Sequence, residues 1–164
     1  MPDETLVSLA ERLQRLSLDR QETVATAESC TGGLVAAAIT AVPGASGYFL
    51  GGFVTYADAA KAEVLGIPPA MLDAHGAVSA QVARAMASGA RERLGSSIAV
   101  SDTGIAGPDG GSTAKPVGLV YIGLATTEGA EVRRFTFSGD RVAIRTAAAT
   151  AALEWLIERA SPTR

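Results

Sequence analysis

Residues 23–41 read TVATAESCTGGLVAAAITA, and this stretch decides the fold class. Thr23 to Ala27 is short, β-rich and uncharged, the signature of a buried strand. Glu28-Ser29-Cys30-Thr31-Gly32-Gly33 is a tight turn, because paired glycines open backbone conformations that other residues resist. Leu34 to Ala41 then reads as a helix, stopped by Pro43-Gly44. A strand passing through a glycine turn straight into a helix is the building unit of an α/β sheet.

The flanking sequence repeats that alternation. Upstream, Leu6, Leu9, Leu13 and Leu16 recur at helical spacing with Glu11, Arg12, Gln14 and Arg15 between them, which predicts an amphipathic first helix. Downstream, Tyr48 to Tyr56 reads as a strand containing Gly51-Gly52. Ala59 to Leu65 is a short helix carrying Lys61, and Pro68 or Pro69 opens a further turn. Ser79 caps a longer helix through Val82, Met86 and Ala90 to Leu94. Ile98 to Ser101 is a strand, followed by a long loop from Thr103 to Lys115. Gly118 to Thr126 and Glu131 to Phe137 form a hairpin around Glu128-Gly129. Asp140 to Ile157 closes the sequence as an alanine-rich helix. These elements predict a three-layer α/β/α sandwich in which a mixed, mostly parallel sheet ends in a hairpin, with residues 1–164 forming a single domain.

Composition narrows the function. Hydrophobic residues make up 48% of the chain and charged residues 19%, which excludes a disordered chain. Only 5% is aromatic, so the core must be built from small side chains. The net charge of −3 comes with no basic stripe, so no nucleic-acid partner is expected. A small anion remains possible, held by backbone N–H groups at a helix start. With Cys30 and His75 each the sole residue of its type, an internal disulfide and a Cys/His zinc cluster are both excluded. No apolar run reaches membrane-spanning length and no secretory signal precedes the first helix. The expectation is a cytoplasmic protein with no membrane partner.

Three segments could carry chemistry. The Ser29 turn joins a buried strand to a helix, where ligands bind in α/β folds; Ser29 or Thr31 could equally be an ordinary cap. Gly32 and Gly33 would let N–H groups approach a ligand. A serine nucleophile needs a base. His75 reads as part of an exposed turn, whereas Lys61 could serve if burial lowered its affinity for a proton, with Tyr56 holding or relaying that proton. On local pattern alone, an ordinary surface lysine on a short helix is the reading to prefer. The third segment, around Thr103, Gly104, Ala106 and Gly107, is glycine-dense and follows a strand. It could form an oxyanion or phosphate nest, or be purely structural. It matches neither the Walker pattern nor the dinucleotide fingerprint. Ser112-Thr113-Ala114-Lys115 fits Ser-x-x-Lys but lies in a loop before Pro116. Cys30 reads as a small buried thiol, and Asp58, Asp102 and Asp109 lack ligand spacing for a cation.

Taken together, Ala27 to Leu34, Thr55-Tyr56 with Lys61, and Thr103 to Pro108 through Lys115 to Gly118 resemble the CinA C-terminal domain family, the nicotinamide-nucleotide amidohydrolases. The resemblance implies the stand-alone form, without the N-terminal nucleotide-hydrolysing domain of larger members. It implies hydrolysis of the carboxamide of nicotinamide mononucleotide to nicotinate mononucleotide and ammonia. Ser29 falls on the family's nucleophile, Lys61 on its general base and Tyr56 on its assisting tyrosine. The implied protein is a homodimer or higher homo-oligomer that uses no cofactor and no metal. The small nucleotide substrate would meet Thr31, Gly32, Gly33, Thr103, Gly104, Ala106 and Gly107. N–H groups near Gly32, Gly33 or Gly104 would stabilise the oxyanion. Arg141 and Arg145 would bind the phosphate, or else be surface charges at a helix start. The rival reading is a catalytically weak nucleotide-binding or partner-binding module.

Overall fold

The strand at the head of the deciding stretch, β1 (Val24–Glu28), is buried at all five positions. It lies second from the edge of a five-stranded sheet in the order β2-β1-β3-β4-β5. The structure, a computed structural model, describes residues 1–161. β1 pairs in parallel with β2 (Phe49–Val54) on one side and β3 (Ile98–Gly104) on the other. β4 (Leu119–Thr126) runs antiparallel to β3, and β5 (Gly129–Thr136) antiparallel to β4. Four strands therefore share one direction and β4 alone opposes them. The hairpin pairs Thr126 with Gly129, so Thr127 and Glu128 form its turn.

Helices cover both faces. On one, α1 (Glu4–Arg20), α2 (Leu34–Thr40) and α6 (Arg141–Ala160) enclose a cluster containing Leu6, Leu13, Ile39, Ile122, Ile144 and Leu153. On the other, α5 (Ala80–Leu94) presses Val82, Met86 and Ala90 against Ala25, Ala27 and Ala99. α3 (Asp58–Leu65) and α4 (Pro69–His75) pack against α5. Each alanine buries little area, at about 0.8 kcal/mol per CH₂-sized group. Close approach supplies the missing contacts. A Cβ on Gly123 of β4 would strike the Ala83 carbonyl oxygen of α5, and one on Gly89 would lie 2.5 Å from the Leu65 carbonyl oxygen. The small residues thus bring α5 to backbone contact with the sheet and with α3.

Local signals set the ends of the longer helices. Asp3, Ser79 and Asp140 accept from the N–H groups of Leu6, Val82 and Ala143 and cap α1, α5 and α6. No helix among the described residues is long and apolar enough to cross a membrane.

Two expected boundaries need correction. The strand expected over Ile98 to Ser101 continues to Gly104, so Thr103 and Gly104 pair with Tyr121 and Val120 and the loop begins at Ile105. Asp102 and Thr103 suggest a turn locally, but pairing with β4 overrides that preference. The turn expected at Pro68 or Pro69 is a helix, α4, with Pro69 in its first turn where a missing N–H leaves no bond unmade.

Candidate active site

β1, β2 and β3 run in parallel, so the segments leaving them emerge at one end of the sheet. Ser29 follows β1, Thr55-Tyr56 follows β2, and Ile105 to Gly107 follows β3. α3 then brings Lys61 back under the Ser29 turn. Ser29 is 8% exposed and Lys61 1%. The Lys61 amine Nζ lies 3.0 Å from Ser29 Oγ, 2.9 Å from the Thr55 carbonyl oxygen and 3.1 Å from that of Tyr56.

Burial pushes the Lys61 amine below its ordinary affinity for a proton, with the nearby Asp58 carboxylate pulling the other way. A neutral amine has two N–H donors and one lone pair. Donating to the two carbonyls aims the lone pair at the Ser29 hydroxyl, the relation a general base needs to its nucleophile.

Two buried acids hold the turn. Glu28, at the end of β1, accepts from the N–H groups of Gly33 (2.9 Å), Val35 (3.0 Å) and Ala36 (2.8 Å), so its carboxylate caps α2 in place of the uncapped Gly33. Asp102 Oδ1 accepts from the N–H groups of Ser29 (3.3 Å) and Thr31 (3.1 Å) and from the Cys30 thiol (3.1 Å). The Thr31 hydroxyl lies between the acids, 2.6 Å from Glu28 Oε2 and 2.5 Å from Asp102 Oδ2. Burial pushes both carboxyls above the usual carboxylate range, and Asp102 raises Glu28 further. The sequence alone assigns neither acid a role in holding the turn; the signal available for Glu28 is a glutamate ending a buried strand before a Ser/Thr/Gly turn. The Cys30 thiol is pushed far up by burial, which leaves it an inert core group.

Two of the expected glycine donors are already engaged. Gly32 N–H donates to the Ser29 carbonyl and Gly33 N–H to Glu28, so neither is free for an oxyanion. The glycines serve the backbone instead, with φ of +63° and +96°. Gly104 has no room for a side chain, since a Cβ would lie 2.6 Å from Val120 and 3.1 Å from Cys30 Sγ. Thr103 directs its hydroxyl to the Ala77 carbonyl (2.8 Å) and so holds the α4–α5 connection. Ala106 is buried beside Gly107. Among the described residues, the Cys30 and Ala106 N–H groups donate to no other residue.

The arginines clamp the segments together. Arg145 donates to the carbonyls of Cys30 (3.2 Å) and Thr31 (2.7 Å). Arg141 donates to the Gly107 carbonyl and to the Tyr56 hydroxyl, each at 2.8 Å. Tyr56 thus meets Lys61 through its carbonyl, and its 58% exposed side chain faces Arg141. His75 lies at the end of α4, where its carbonyl accepts from Lys115. A concavity of about 610 Å³ beside Arg159 and the hairpin turn includes neither Ser29 nor Lys61. The outer glycine loop, Pro108 to Val117, frames another of about 590 Å³.

Comparison with known proteins places these residues in context. The family model described as CinA C-terminal domain matches residues 6–160. The chain is 57% identical over 145 residues to a CinA-like protein of Geobacter sulfurreducens, covering 88% of this chain and 35% of that protein. It is 51% identical over 158 residues to a CinA-like protein of Chlorobaculum tepidum, covering 93% and 37%. The chain therefore spans about a third of the length of these curated relatives. Among solved structures, the competence/damage inducible protein CihA of Agrobacterium tumefaciens superposes with a TM-score of 0.93 at 41% identity, covering 96% of this chain and 97% of that one. A competence or damage-inducible protein of Enterobacter asburiae gives 0.91 at 31%, covering 97% and 100%.

Proposed function

We propose, on the premise that this chain belongs to the CinA C-terminal domain family, that it is an amidohydrolase converting nicotinamide mononucleotide to nicotinate mononucleotide and ammonia. The observation that carries the proposal is the buried contact of 3.0 Å between the Lys61 amine and the Ser29 hydroxyl. In the first step Lys61 takes the Ser29 proton as Oγ bonds to the amide carbonyl carbon. The C–N bond then breaks, and the proton on Lys61 passes to the departing nitrogen, giving ammonia. Water attacks the acyl-enzyme, Lys61 takes its proton, and that proton returns to Ser29 as nicotinate mononucleotide leaves.

The N–H groups of Cys30 and Ala106 are the donors best suited to the oxyanion, an interaction worth about 3 kcal/mol per donor. Each guanidinium carries five N–H donors. Arg141 and Arg145 engage the protein through two apiece, so both keep donors for the substrate phosphate. Thr103 and Gly104 shape the floor beneath the turn, and Tyr56 fixes Lys61 through its carbonyl. A homodimer or higher homo-oligomer working in the cytoplasm completes the proposal, with light scattering as the check on assembly.

Purified protein incubated with nicotinamide mononucleotide should release ammonia, and Ser29→Ala should abolish release while leaving the melting curve in place. Tight binding without turnover in the wild type would instead identify a nucleotide-binding module.

A further inference from the structure

The contacts of Thr31 pose a proton-counting problem. Its hydroxyl has one hydrogen, yet two carboxyl oxygens lie 2.5 and 2.6 Å from Oγ1. One hydroxyl cannot donate good bonds to both, and two lone-pair oxygens so close to a third would repel. One of the carboxyls must therefore donate.

The surroundings decide which. Glu28 receives three backbone N–H groups and sits at the positive start of α2, an environment made for an anion. Asp102 Oδ2 meets only Thr31, while Oδ1 receives two long N–H bonds and a weak thiol donor. We propose that Asp102 is held as a neutral carboxylic acid, and that a directed chain from Asp102 Oδ2–H to Thr31 Oγ1–H to the Glu28 carboxylate positions the Ser29 turn toward Lys61. Asp102 is thus a positioning residue: it never meets the substrate, but it fixes the N–H groups on either side of Cys30.

A neutral Asp102 also protects the base. An ionised Asp102 would favour the protonated form of Lys61 and oppose its work. The other titratable groups around this cluster are the Cys30 thiol, held neutral by burial, Arg145 on the turn carbonyls, and Asp58 beside Lys61. The consequence for catalysis rests on the amidohydrolase reading, whereas the protonation state does not.

The direct test needs no substrate. Carboxyl carbons of wild-type protein are followed by ¹³C NMR from pH 5 to 9, with Asp102 assigned through its own Cβ protons. The expected result is a protonated Asp102 signal at pH 7; an Asp102 carbon already ionised at pH 5 overturns the proposal. A second arm measures kcat/KM against pH for Asp102→Asn, whose amide donates to Thr31 and accepts from Ser29 and Thr31 as the neutral acid does. The acidic limb should stay within about half a pH unit of wild type; a clear displacement to lower pH, as expected on removing an anion, refutes it. Absence of turnover in the wild type defeats the amidohydrolase reading alone and leaves the spectroscopic arm to decide the proton.

Discussion

Replacing Lys61 with methionine separates chemistry from architecture. The side chain is buried, and methionine keeps much of its volume while removing the amine that touches Ser29 Oγ. A positioned general base contributes on the order of 10²–10⁴ in rate, or about 3–5 kcal/mol of barrier. The structural effect comes from the Thr55 and Tyr56 carbonyls, which lose the donor at 2.9 and 3.1 Å. An abandoned buried acceptor costs about 1–3 kcal/mol, and the thioether's own burial offsets part of that. The net loss of about 2–4 kcal/mol lowers Tm by about 5–15 °C for a domain of this size. The variant should therefore remain folded at 25 °C, with ammonia release from nicotinamide mononucleotide reduced at least about 100-fold under single-turnover conditions. Circular dichroism melting run on the same samples checks the fold. A folded variant that retains turnover within tenfold of wild type would refute Lys61 as the base.

Further outcomes follow from the same contacts. Because burial lowers the Lys61 pKa, kcat/KM should rise with pH through a limb below the ordinary lysine value of 10.5, and a limb at or above it would contradict a desolvated base. The Asp102 pKa is raised above its unfolded 3.8, so its stabilising contribution is complete below that pH and is lost as pH rises through the folded value. Denaturant titrations should show Asp102→Asn gaining on wild type from pH 4 to 7 by up to about 1.4 kcal/mol per pH unit; parallel curves would rule this out. Gly123→Ala drives a methyl onto the Ala83 carbonyl oxygen and within 2.7 Å of Ser101 Oγ, and should cost about 3 kcal/mol or more in chemical denaturation. Tyr56→Phe removes a hydroxyl that faces Arg141 rather than Lys61, so it should raise KM and change kcat less than tenfold.

Much of this was legible in the chain because its signals are local. The Thr23 to Gly33 stretch shows a strand, a turn and a helix start by residue type alone, and Ser79 announces its helix by its cap. The meeting of Ser29 and Lys61 is not local, since 32 residues separate them and only the parallel pairing of β1 with β2 returns α3 beneath the turn. The resemblance suggested that meeting, and the topology brings it about. Glu28 and Asp102 escaped because a carboxylate looks solvent-bound until its donors are known; those of Glu28 lie at the start of the helix that follows it, and the Thr31 N–H that meets Asp102 lies 71 residues earlier. The arginines of α6 were legible as charges near a helix start but not as clamps, because their acceptors are carbonyls up to 115 residues away.

The order of synthesis gives those clamps a temporal meaning. The segments bearing Ser29, Tyr56 and Gly107 leave the ribosome well before Arg141 and Arg145, whose guanidinium groups fasten them, and before the rest of α6 closes its side of the core. A nascent chain that already carries the serine and the lysine is therefore still unfastened until α6 emerges and docks.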